Sequence, residues 1–227
     1  MIDHPLDNQI WHALTGAQAE LGLAFGEVRL FRPEIAPAVG MARITAANLS
    51  TLAAAMAIDA TVITHSVEPI VSTAELEVTD SHPLLQMVAN RLVPVELTVA
   101  VKELGPADLP AMKRLVDIAE PGPLLPGAFA LGRFVGIVAG DGLAAMAGDR
   151  LRPPGFGELC TVCSHPDFRG RGYAKMVASA IAQRIVERGD TPYLMVMPEN
   201  TPAVRLYESL GFKPRRLLYF NALKRVA

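Results

Sequence analysis

The chain has 227 residues, of which 51% are apolar, and a net charge of -2. That length suits one large domain or two small ones, and the apolar share supplies a sizeable core and excludes a disordered chain. The near-neutral charge gives no basic face for nucleic acid, and no apolar run reaches membrane-spanning length. The N-terminus, MIDHPLDNQIW, lacks the basic start and apolar centre of a signal peptide, so a cytoplasmic protein is expected.

Residues 1–94 read as a separate α/β layer. Asn8 to Leu14 is a short helix around Trp11, and Gly16 to Leu23 offers another. Glu27 to Phe31 reads as a strand stopped by Pro33, and Pro37 to Arg43 as a second short strand. Thr45 to Ala57 is a helix: Thr45 can cap it, and Leu49, Leu52, Ala53 and Met56 share one face. Ala60 to His65 and Ala74 to Thr79 read as strands. Pro83 to Arg91 reads as a short helix with Leu84, Leu85 and Val88 on one face. Neither His65 nor His82 has an evident partner. Nothing in this half supplies a glycine-rich turn.

Val93-Pro94 is the expected boundary, with a second domain over 95–227. Glu96 to Glu103 reads as a strand and Pro106 to Ile118 as a helix. Glu120 to Gly127 is a loop with three prolines. Ala130 to Ala139 and Leu143 to Leu151 form a hairpin through Gly140-Asp141-Gly142. Leu159 to Ser164 is a buried strand ended by His165-Pro166. A long helix follows from Gly172, with Ala174, Val177, Ala178, Ile181 and Ile185 on one face, closed by Gly189. Pro192 to Met197 is a strand. Asn200 caps a helix with Pro202 in its first turn, Gly211 ends it, and Phe212 to Leu223 is the last strand.

Cys160 and Cys163 are the only cysteines. No second ligand pair accompanies them, so no metal site is expected. Their odd spacing on a strand points them to opposite faces, which suits structural thiols rather than a redox pair.

Arg169-Gly170-Arg171-Gly172-Tyr173-Ala174 carries the chemistry. The first N–H groups of a helix lack internal partners and bear the positive end of its dipole. The two glycines let an anion approach the backbone, and two arginines add charge, so a pyrophosphate fits. The Walker-A and dinucleotide fingerprints are absent, which argues against a general nucleotide binder. Ser164 has no Ser-His-Asp partner set, so hydrolase chemistry is not expected.

Arg169-x-x-Gly172-x-Ala174, after a strand and opening a helix, resembles the R/Q-x-x-G-x-G/A signature of the GCN5-related N-acetyltransferases (GNAT). Asn200-Thr-Pro-Ala203-Val-Arg-Leu206-Tyr207-Glu-Ser-Leu210-Gly211-Phe212 resembles that family's late N-x-x-A-x-x-L-Y-x-x-x-G-F segment, in wording closest to its FR47-like branch. The resemblance begins near Val95. It implies an α/β fold with a mixed central sheet flanked by helices, and the element order β-α-β-β-β-α-β-α-β. It leaves two readings of residues 1–94 open, a degenerate copy of the same fold or an unrelated α/β cap.

The resemblance also implies acetyl-CoA as co-substrate and a primary amine of a small molecule or peptide as acceptor. Val162, Cys163 and Ser164 would hydrogen-bond the pantetheine arm. Arg169, Gly170, Arg171, Gly172, Tyr173 and Ala174 would hold the pyrophosphate, with Asn200 and Tyr207 beside the thioester. Acyl transfer needs a neutral amine and a proton for the departing thiolate. Glu158 is the candidate base, directly or through water, and Tyr207 the candidate acid. The segment after the first helix would line the acceptor site. The alternative is a CoA-binding module without catalysis. Acyl length, acceptor and oligomeric state, a homodimer included, stay open.

Overall fold

The structure, a computed structural model, describes residues 4–227. The first elements are α1 (Gln9–Leu14), β1 (Gly22–Phe25), β2 (Val28–Phe31), β3 (Val39–Met41), α2 (Ala46–Ala55), β4 (Thr61–Ser66) and β5 (Leu76–Val88). Then come β6 (Lys102–Leu104), α3 (Leu109–Ala119), β7 (Phe134–Ala139), β8 (Gly142–Asp149) and β9 (Phe156–Ser164). The last four are α4 (Tyr173–Glu187), β10 (Thr191–Val196), α5 (Thr201–Glu208) and β11 (Lys213–Arg225).

Two compact units emerge: Met1–Gln86 with Leu151–Pro154 and Arg216–Ala227, and Met87–Arg150 with Gly155–Arg215. The division falls at Gln86/Met87, inside β5, where the sequence had suggested Val93-Pro94. It also gives the end of β11 to the first unit.

In the first unit β1, β2 and β3 make an antiparallel sheet, and β11 lies between β4 and β5. Thr45 caps α2 as expected, its hydroxyl accepting from the Asn48 N–H at 3.2 Å. Leu49, Leu52 and Ala53 of that helix bury against Val28, Val39 and Met41. His65 and His82 do have partners: Gln9 at 2.7 Å from His65, and for His82 both Asp80 at 3.1 Å and the stacked Phe220 ring at 4.8 Å.

Three expected elements differ. Pro83 to Arg91 is not a helix; β5 continues through Val88. A short apolar run satisfies either period, and β5, which lies beside β11, is held to it just ahead of this segment by the hydrogen bond from the Thr79 hydroxyl to the Ala222 carbonyl and by that between Ser81 and Asn221. Gly16 to Leu23 yields only a 3-10 turn, Ala19–Leu21, before β1. Of Glu96 to Glu103 only the end is strand, because residues 95–101 are mostly exposed and offer no face to a core.

The second unit runs β-α-β-β-β-α-β-α-β from β6 to β11, with sheet order β10-β9-β8-β7-β6. β9 and β10 are parallel and the other pairs antiparallel, so the sheet is mixed. Met112 and Leu115 of α3 pack on Phe134, Met146 and Cys163. α4 buries Val177, Ala178, Ile181 and Ile185, each fully buried Ile contributing roughly 2 kcal/mol. Gly157 of β9 admits this helix closely: a Cβ there would lie 2.7 Å from the Ile185 side chain.

Candidate active site

β9 is the strand from which the site is built. On one side it pairs with β8, Asp149 opposite Leu159, Gly148 opposite Cys160 and Met146 opposite Cys163. The register shifts between Gly148 and Met146, leaving Thr161 and Val162 across from Ala147, with Thr161 at φ 51°. This is a β-bulge, which bends the strand and resets its alternation. On its other side β9 pairs with β10 at Phe156, Gly157 and Glu158 only, the last rung being Tyr193↔Glu158. Beyond it the two strands part. The edge of β9 from Leu159 to Ser164 carries backbone donors and acceptors that β10 does not take.

The bulge corrects the reading of the cysteines. Gly148 and Met146 share a face, so Cys160 and Cys163 opposite them share one too. Both are free thiols, and burial pushes each up from the ordinary 9.0 to about 12, which makes them inert.

The strand ends at His165-Pro166, and a 3-10 turn, Pro166–Phe168, leads to the glycines. Gly170 and Gly172 both have φ 77°, a left-handed conformation that glycine adopts freely. Gly172 is the N-cap of α4 and brings no capping side chain. The first N–H groups of the helix therefore keep their donor capacity, and Tyr173, Ala174 and Lys175 all line the adjoining cleft. Arg169 lines it as well. Arg171 does not: its guanidinium stands 5.2 Å over the Phe168 ring. Lys175 is a cation that sequence reading missed; its place in the first helical turn was the available signal.

Across the cleft lies α5. Asn200 caps it, Oδ1 accepting from the Ala203 N–H at 3.2 Å. Gly211 ends it at φ 96°, and a Cβ there would collide with the Arg91 carbonyl. Tyr207 lines the cleft while being 9% exposed, and burial with nearby Cys160 and Cys163 raises its pKa above the usual 10. The cleft holds about 920 Å³ and runs from Val162, Cys163 and Ser164 to the glycine turn. Ala119, Glu120 and Pro121, from the end of α3 and the proline-rich loop, line it too.

Glu158 does not join these residues. It is 1% exposed, and both its oxygens accept from Arg150, from Nε at 2.8 Å and Nη2 at 2.9 Å. Its carboxylate is committed to a fork-shaped ion pair and is not among the groups that line the cleft. The candidate base is thus half of a buried ion pair. Its partner lies eight residues upstream, just past the end of β8, beyond the reach of a local reading.

No group of three or more His, Cys, Asp or Glu among the described residues is placed to hold a metal ion, and no helix among them is long and apolar enough to cross a membrane.

Residues 134–220 match the family of FR47-like proteins. Over 99% of this chain and 100% of its own, a solved structure from Novosphingobium aromaticivorans, assigned to the GNAT family of acetyltransferases, is similar at 36% identity and a TM-score of 0.92. A GCN5-related N-acetyltransferase from Kribbella flavida shares the fold, with TM-score 0.62 and 17% identity over 96% of each chain. Among curated relatives, a mycothiol acetyltransferase of Corynebacterium aurimucosum is 47% identical over 60 residues, 26% of this chain and 20% of that protein. An acetyltransferase of Yersinia enterocolitica is 28% identical over 89 residues, 39% of this chain and 59% of its own. The chain thus spans less than two thirds of the curated relatives it matches.

Proposed function

The chain belongs to the GCN5-related N-acetyltransferase family, in its FR47-like branch, and on that footing we propose that it transfers an acetyl group from acetyl-CoA to a primary amine of a small molecule or peptide. One observation carries this reading. The open edge of β9 beyond Tyr193↔Glu158 leads directly into the Gly170–Gly172 turn and the uncapped start of α4. A strand edge suits an amide-bearing arm, and a helix start suits a pyrophosphate; only a ligand that has both in sequence uses the whole cleft.

On this reading Val162, Cys163 and Ser164 hydrogen-bond the arm through their backbone. Gly170, Gly172, Tyr173 and Ala174 offer N–H groups to the phosphates, and Arg169 and Lys175 add charge. Asn200 shapes the wall beside the thioester. The neutral amine adds its lone pair to the thioester carbon, the C–N bond forms and the C–S bond breaks. Tyr207, held protonated by burial, gives its proton to the departing sulfur. The proton shed by the amine leaves through the open cleft to solvent, and Tyr207 recovers one from there. Glu158 takes no part as base here, since Arg150 occupies both its oxygens.

We read the first unit as a degenerate copy of the fold that does not bind the donor; in support, Thr45 caps α2 with its hydroxyl, where Gly172 leaves the start of α4 uncapped. Free thiols at Cys160 and Cys163 suit a reducing compartment and support a cytoplasmic place.

Acetyl-CoA should raise the thermal midpoint where ATP and NAD leave it unchanged. Thiol release should then follow when amines are added. Absence of the shift removes the CoA reading. The engagement of Glu158 by Arg150 favours a second reading, a CoA-binding module without catalysis; a shift with no thiol release from any amine would select it.

A further inference from the structure

The parting of β9 from β10 has a counterpart in the first unit. Among the described residues β3 and β4 meet in parallel at one bridge, Ala38↔Ile63, where the Ile63 N–H donates to the Pro37 carbonyl at 2.7 Å. Their other edges are taken, β3 by β2 and β4 by β11. Past the bridge a cavity of about 440 Å³ adjoins the ends of both strands, a volume in the range of small-molecule sites. Asn8 denies its strand edge to a peptide-like arm, since Nδ2 donates to the Met41 carbonyl at 2.7 Å. The charge is the reverse of that in the cleft of the second unit. No lysine or arginine lines this cavity, whereas Asp7 and Glu68 do. Arg216 balances Asp7 at 2.9 Å. Glu68 is exposed on the rim, and its carboxylate has no ion pair or side-chain hydrogen bond among the described residues. Thr64 lies deeper, 3% exposed, and its hydroxyl has no hydrogen-bond partner among those residues. Its neighbours are committed, His65 to Gln9 at 2.7 Å and Ser66 to the Glu68 carbonyl at 2.5 Å and to Asn221 at 2.9 Å. A buried polar group without a protein partner calls for an explanation, and an incoming hydrogen-bonding group supplies one.

We propose that this cavity is a second ligand site, for a small organic molecule that bears one ammonium group and, a few bonds away, a hydroxyl: an amino alcohol in chemical class. Glu68 supplies the counter-charge, and Thr64 bonds the hydroxyl. An anion is disfavoured, because both carboxylates face it and no lysine or arginine on the wall offsets them. A nucleotide is disfavoured too, since Thr45 caps the start of α2 and Asn8 holds the end of β3. A bare metal ion lacks a ligand set, for no group of three or more His, Cys, Asp or Glu among the described residues is placed to hold one. A hydrocarbon would leave Thr64 and Glu68 uncompensated. Every residue of the site belongs to the first unit, so it stands apart from acetyl transfer and from the donor cleft. Occupancy stabilises that unit by joining the start of α1, through Asp7 and Asn8, to the end of β4.

The test titrates the full-length protein with ethanolamine, ethylamine and ethylene glycol at constant ionic strength and without acetyl-CoA, by calorimetry and thermal shift. Ethanolamine should bind saturably, one per chain, and about tenfold more tightly than either of the others. Glu68→Gln should erase its advantage over ethylene glycol, and Thr64→Val its advantage over ethylamine. Glu68 is exposed, so the Gln variant should keep the midpoint of the free protein, and both variants should keep the response to acetyl-CoA. Absence of saturable ethanolamine binding, equal affinity for the three compounds, or full retention of the preference in either variant overturns the proposal. Ethanolamine binding that depends on Glu68 and Thr64 upholds the site even where acetyl-CoA gives no shift, so failure of the donor reading is visible separately.

Discussion

Arg150 closes on Glu158 with two parallel hydrogen bonds, 2.8 and 2.9 Å, and the carboxylate side of the pair is 1% exposed while the guanidinium side is 36% exposed. Such a pair costs desolvation to form, and removing one partner strands the other. Glu158→Gln should lower stability by about 2 kcal/mol, less than the several typical of deep pairs because Arg150 reaches solvent. The double variant Arg150→Met/Glu158→Met should recover most of that loss. Denaturant unfolding of the three proteins checks both statements.

Gly172→Ala should destabilise the protein by about 1 kcal/mol and weaken its response to acetyl-CoA. The cost is conformational: at φ 77° the added Cβ meets only Met176 Cε, at 3.8 Å, an ordinary contact. A thermal shift titration with acetyl-CoA reads both effects, and an unaltered titration would place phosphate binding elsewhere.

Tyr207→Phe should lower the rate of thiol release by 10²–10⁴ while leaving the acetyl-CoA shift intact, since a general acid acts in the transition state. Because burial raises the Tyr207 pKa above 10, the wild-type rate should show no decline from this residue as pH passes through 10. A limb at 10 that vanishes in the Phe variant would show that Tyr207 ionises in the ordinary range, against the upward shift that burial imposes; thiol release unchanged in the Phe variant would remove Tyr207 as the acid.

Stability should fall between pH 9 and 12. The thiols of Cys160 and Cys163 ionise near 9.0 in the unfolded chain and near 12 in the folded one. Both folded values are raised, so this contribution is complete below pH 9, is lost as pH climbs because the unfolded state sheds protons first, and is gone above 12. Each thiol adds about 1.4 kcal/mol per pH unit to the slope within that window. Cys160→Ala/Cys163→Ala should flatten the slope, as urea midpoints at pH 8, 9, 10 and 11 would register.

Asn200→Ala should cost about 1 kcal/mol through the lost cap of α5, and Asn200→Ser should restore it. If the Ser variant still binds acetyl-CoA weakly, Asn200 contacts the ligand as well as capping the helix.

Local chemistry made much of this legible. Gly189 and Gly211 take the left-handed conformations that closing a helix suggested, and Thr45 and Asn200 accept the cap hydrogen bonds expected of them. What was not legible depends on partners far along the chain or on small departures from ideal periods. The shared face of Cys160 and Cys163 follows from one extra residue at Thr161, which no alternation rule foresees. Arg171, expected at the phosphates, stands over the Phe168 ring instead, and Lys175, for which no role was expected, lines the cleft from the first turn of α4. Pro83 to Val88 is strand as the continuation of β5, whose Thr79 and Ser81 bond Ala222 and Asn221 of β11, at least 140 residues later.

The three rungs between β9 and β10 act as a hinge pin for an aperture. Each rung added past Tyr193↔Glu158 would seal about 3.3 Å of the β9 edge, and each one removed would free as much. The aperture is therefore set by Tyr193, 0% exposed, and by Glu158 locked to Arg150, side chains that stand at its apex rather than along its walls. The length of β9 edge left open to the cleft is thus fixed by two buried side chains that do not line it.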